Sequence, residues 1–97
     1  MSAQITKYQL PYKGENSVLM IVDAEILSCG TEMGNIVVWA KEYQFYEYNT
    51  ERKLLEPRRF YVLQDNQGIP NVIQDQYAFL STVTIKLEES YHIFYKK

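Results

Sequence analysis

Five consecutive apolar residues, Ile36-Val37-Val38-Trp39-Ala40, constrain this chain more than any other feature. β-branched and aromatic side chains favour extended backbone. Successive side chains of a strand point to opposite faces, so the run places apolar surface on both, and both need cover. Glu25–Gly30 lies upstream across Thr31-Glu32-Met33-Gly34, and Gly34-Asn35 takes positive φ readily, so residues 25–43 read as one hairpin. Tyr43, Phe45, Tyr46 and Tyr48 then put rings on both sides of the same extended run. A domain of 97 residues hides only about 60–70% of its unfolded surface. The aromatic surface around Trp39, Tyr43 and Phe45 is therefore expected to meet a second copy of the chain in a homo-oligomer.

The β pattern extends along the chain. Gln4–Leu10 alternates, and Lys13-Gly14-Glu15-Asn16 is turn chemistry before the apolar run Val18–Val22. Arg58–Leu63 is a strand candidate with Pro57 just before it, where a missing N–H is tolerable. Asp65–Asn71 is a polar loop, Ala78–Leu87 carries the β-branched block Thr82-Val83-Thr84-Ile85, and Tyr91–Tyr95 makes a last strand after Glu88-Glu89-Ser90. These segments predict an all-β single domain over 1–97, a small antiparallel sandwich or partly open barrel of six or seven strands. At most one short helix is expected, at Val72–Tyr77 or Thr50–Leu55.

Composition excludes several classes. Nine Tyr, four Phe and one Trp supply burial that a disordered chain lacks. Cys29 is the single cysteine, so no disulfide forms within one chain, and a lone thiol suits a reducing cytosol. No apolar run reaches the length of a membrane span, and Met1-Ser2-Ala3-Gln4 lacks the basic and apolar regions of a signal peptide. His92 is the single histidine, which leaves nucleophilic triads short of a base and zinc short of ligands; no cofactor or metal is expected. The four glycines are scattered and form no phosphate loop. A net charge of −2 argues against binding polymeric nucleic acid. Arg52-Lys53 and Arg58-Arg59 are the one local concentration of cations. A small phosphorylated ligand needs only a few such groups and a ring to stack a base. Arg58 and Arg59 would supply the phosphate contact, and Tyr46 and Tyr48 the ring. Because adjacent strand residues alternate, only one of the two arginines is expected in any given pocket.

The order of landmarks resembles a family of proteins of about this length, common in bacteriophage and prophage genomes and of unknown function. The residues that carry the resemblance are Ile5-Thr6-Lys7-Tyr8, Ala24–Ser28, Val38-Trp39-Ala40, Arg59-Phe60-Tyr61-Val62, Phe79–Val83 and Tyr91-His92-Ile93-Phe94. Family members follow the arginine–phenylalanine strand with a glycine-threonine-glycine turn; here that place holds Leu63–Gly68. A looser similarity is to phage sponge proteins, oligomeric β proteins that sequester the cyclic nucleotide messengers of bacterial anti-phage (CBASS) defence. It implies a non-enzymatic protein of the host bacterial cytoplasm. On that reading Arg58 or Arg59 takes phosphate, Tyr46 or Tyr48 stacks, Asn66 and Asn71 bond base edges, and Asp65–Asn71 forms a lid. The other expectation is a structural or protein-docking phage accessory, with the aromatic surface as its interface.

Overall fold

A computed structural model describes residues 2–11, 13–44, 55–86 and 89–97. Among these, seven strands and one short helix follow in the order β1 (Ser2–Leu10), β2 (Gly14–Ile21), β3 (Glu25–Glu32), β4 (Asn35–Gln44), β5 (Leu55–Gln64), α1 (Asn71–Gln76), β6 (Tyr77–Lys86) and β7 (Glu89–Lys96). Every pairing is antiparallel. One sheet has the order β1-β4-β3 and the other β2-β5-β7-β6, and the two do not close into a barrel. The all-β sandwich expected from patterning is the fold found.

Alternation explains what each sheet buries. Ile36, Val38 and Ala40 of β4 face the second sheet and are buried with Leu10 of β1. Phe60 and Val62 of β5 and Ile93 of β7 meet them from the other side. Burying side chains of this size contributes about 1.5–3 kcal/mol each. Val37 and Trp39 point the other way, outward from the three-stranded sheet. Val37 is nonetheless buried, and Trp39 half-buried, its ring lying over Gly30 of β3. A methyl group at Gly30 would stand 2.9 Å from the Trp39 ring, so glycine is what lets the indole lie down on its own sheet.

The hairpin over residues 25–43 forms with its turn one residue earlier than the sequence suggests. Met33 (φ 51°) and Gly34 (φ 80°) take the left-handed positions, and Asn35 is already paired with Glu32. Two consecutive left-handed residues match the twist of the flanking strands. Lys13–Asn16 also shifts: Gly14, at φ 82°, opens β2, and Glu15 and Asn16 are strand residues. The short helix lies at Asn71–Gln76, close to the expected Val72–Tyr77, whereas Thr50–Leu54 falls outside the described residues and Leu55 opens β5.

β5 and β6 both pair with β7, so they run parallel to each other and need a crossover. Residues 65–76 provide it. Leu63, Ile73 and Tyr77 are buried but stand apart from the core cluster between the sheets. Leu63 lies opposite His92, and Tyr77 opposite Lys96, on the face of the second sheet turned away from the core. The crossover brings α1 against β6 and buries Ile73 outside the core cluster.

Candidate functional site

β7 does not accompany β5 along its whole length. β2 pairs with β5 from Leu55 to Val62, but β7 pairs with it only from Phe60 to Gln64. Beyond Tyr95, β7 stays with β6: Lys96 is paired with Tyr77, and the Lys97 N–H donates to the Gln76 carbonyl at 3.0 Å. Among the described residues, Leu55–Arg59 therefore has a strand on one side only. A cleft of about 520 Å³ opens there, walled by Glu56–Arg59 of β5, Lys96 and Lys97 of β7, and Asp23 from the β2–β3 turn. The same geometry explains Pro57, which sits inside β5 rather than before it. No β7 residue stands opposite Pro57, so its missing N–H takes nothing from that ladder.

Both arginines reach this cleft. Alternation sends them to opposite faces of β5, and for a pocket on a face only one would count. A pocket at the free edge of a strand is touched from both faces, which corrects the expectation of one arginine per pocket. The two are held differently. Arg58 Nη1 donates to the Ala24 carbonyl at 2.7 Å and stands 3.9 Å from the Glu56 carboxylate, with a quarter of its side chain exposed. Arg59 is half exposed, its nearest acid being Glu15 at 3.8 Å. The Glu15 carboxylate is shared with the buried Tyr77 hydroxyl, whose pKa is raised by burial first and then by the Glu15 charge. Tyr77 meets Tyr61 edge to face at 6.5 Å.

Four cationic side chains against two carboxylates give the cleft a positive balance inside an acidic chain. A guanidinium carries five N–H donors, so Arg58 keeps donors beyond the one on Ala24. Sequence reasoning did not bring Lys96, Lys97 or Asp23 to the arginines. The signal was a pair of lysines closing the last strand candidate, which means little until β7 is known to lie beside β5.

The other expected site residues lie elsewhere. Asn66 (φ 66°) sits in the turn after β5, and the five residue steps from Arg59 to Gln64 separate the two ends by about 17 Å. Asn71 opens α1; neither asparagine lines the cleft. The segment Asp65–Asn71 is fastened at that far end rather than over the arginines. The Asp65 N–H donates to the Ser90 carbonyl at 3.2 Å, and the Asp65 carboxylate lies 2.6 Å from His92 Nε2. His92 Nδ1 is in turn 2.8 Å from Thr82 Oγ1, so the single histidine ties the crossover to β6 and β7. Trp39 and Tyr43 are both half-buried on the outward face of the three-stranded sheet, with the Lys41 ammonium 5.2 Å above the Tyr43 ring. Phe45, Tyr46 and Tyr48 lie outside the described residues.

A second polar cluster sits between the sheets. Glu42 is 2% exposed and accepts from Thr6 Oγ1 at 2.5 Å, from the Tyr8 hydroxyl, and from the Ile21 N–H at 3.4 Å. Cys29 is half-buried, and burial pushes its thiol up to about 11, so it is protonated near neutrality and poorly nucleophilic. Among the described residues, no three His, Cys, Asp or Glu side chains are grouped to hold a metal ion, and no helix is long and apolar enough to cross a membrane.

Residues 1–97 match the family described as Domain of unknown function (DUF7352). No curated protein and no solved structure matches the chain.

Proposed function

The chain belongs to that family, Domain of unknown function (DUF7352), and from this premise we propose that it is a non-catalytic capture protein for a small phosphorylated nucleotide. The proposed ligand is a cyclic nucleotide messenger of bacterial anti-phage signalling, and the proposed setting is a phage-encoded protein in the host cytoplasm. The observation that carries the reading is the cleft at the free edge of β5, where Arg58, Arg59, Lys96 and Lys97 converge. Its volume falls within the range of small-molecule sites. Arginine forks match phosphate oxygens, and such charge-assisted bonds are roughly twice as strong as neutral ones. Among the described residues no aromatic ring lines the cleft, so recognition there rests on the anionic part of the ligand.

Capture is stoichiometric. Free messenger falls only where sites outnumber it and the dissociation constant lies well below its concentration; nanomolar binding corresponds to about −12 kcal/mol. Titration calorimetry of the protein with cyclic di- and trinucleotides at low salt tests the proposal. One of them should give saturable heat, weakened about tenfold or more in Arg59→Gln, since one charge-assisted contact is worth about 1.5–3 kcal/mol. Absence of heat from every member of the panel at micromolar protein would overturn it.

A further inference from the structure

We infer that the cleft is built for a ligand carrying two separate anionic groups, one for each face of β5. The inference rests on reading the cleft as a phosphate site and adds how many phosphates it takes and where. Arg58 shares the inward face of β5 with Phe60, and Arg59 shares the outward face with Tyr61. β7 forms the other wall. Tyr95 packs against the core, so Lys96, the last residue of β7, is on the outward side, and Lys97 follows it at the cleft. The outward face of the notch therefore offers Arg59 and Lys96, and the inward face Arg58.

Arg58 and Arg59 approach the notch from opposite faces of β5, so a single phosphate does not meet both on equal terms. Arg58 is held in place by the Ala24 carbonyl at 2.7 Å and is kept from swinging to the outer side. Each arginine has one acid at similar range, Glu56 at 3.9 Å from Arg58 on the inward face and Glu15 at 3.8 Å from Arg59. An orthophosphate-sized anion thus meets one arginine at a time. A ligand with two phosphates on a spacer engages both, and the second contact forms at the high effective concentration set by the first. Among cyclic nucleotides this selects those with two or more phosphates over a cyclic mononucleotide.

The test uses simple probes on the full chain: butylphosphonate, and alkane bisphosphonates with four- and six-carbon spacers, titrated calorimetrically at low salt. The better bisphosphonate is expected to bind one per chain and about tenfold or more tighter than butylphosphonate, because linked contacts reinforce each other. Arg58→Gln and Arg59→Gln should each return it to the affinity of the monophosphonate. If Arg58→Gln does not fold, Arg59→Gln alone decides, since it removes a half-exposed side chain. Bisphosphonates no better than about twofold over butylphosphonate, the statistical gain of two identical ends, would overturn the two-anion inference while leaving the phosphate site standing. Absence of binding by all three probes would overturn both.

Discussion

Arg58 and Arg59 are adjacent in sequence and do different work. Arg58 satisfies a carbonyl of the β2–β3 turn from a partly buried position, and its loss leaves that acceptor without its charged partner. Arg58→Leu is expected to cost about 1.5–3 kcal/mol of stability, the range for hydrogen bonds to charged groups. Arg59→Leu removes only an exposed pair at 3.8 Å and should stay within about 0.5 kcal/mol of wild type. Urea unfolding of the two variants checks this; equal midpoints would contradict the assignment. The pair also shows where residue-level reading stops. Patterning placed both arginines on one strand and on opposite faces, correctly. What it lacked was that β7 leaves β5 at Tyr95, which turns an edge into a pocket wall.

At the level of elements, β1 and β4 are joined across their inner face by the Glu42 cluster. Patterning makes Glu42 one more polar residue after an apolar run; only the β1 register, with Tyr8 opposite Val38 and Thr6 opposite Ala40, brings their hydroxyls to it. Burial, then the hydrogen bond to Glu42, then its charge push the Tyr8 hydroxyl up to about 12. The folded value lies above that of an unfolded tyrosine, about 10. The contribution is therefore complete below pH 10 and lost as the pH rises from 10 toward 12. Tyr77, also raised, acts in the same sense. Denaturant unfolding between pH 8 and pH 11.5 should show wild type losing stability with rising pH more steeply than Tyr8→Phe; parallel curves would contradict the account. The strands themselves were legible, because β-branched blocks, alternation and turn formers are local signals. Strand order was not. Nothing near Leu63 or Tyr77 announces that β7 lies between β5 and β6, since pairing over thirty residues is decided by the whole core. The position of Asp65–Asn71 was illegible for the same reason: β5 carries that loop to the end away from the arginines.

For the molecule as a whole, the outward aromatic surface at Trp39 and the positive cleft are separate features on different sheets. The first is covered in part by the chain itself, Trp39 lying on Gly30 and Val37 buried beside it. The second follows from a mismatch in strand lengths: β5 spans ten residues, and β7 accompanies only five of them. That mismatch puts positive charge at a sheet edge without a basic domain, in a chain whose net charge is −2. The central claim is that this edge holds the phosphorylated ligand. Amide chemical-shift mapping by two-dimensional NMR, during titration with a cyclic dinucleotide, tests it residue by residue. The account predicts saturating shifts at Glu56, Arg58, Arg59, Lys96 and Lys97 and at the Asp23 turn, with Asn66 and the outward face of β4 unmoved. Shifts centred on Asn66 and Asn71 or on Trp39, with the β5 edge silent, would contradict it.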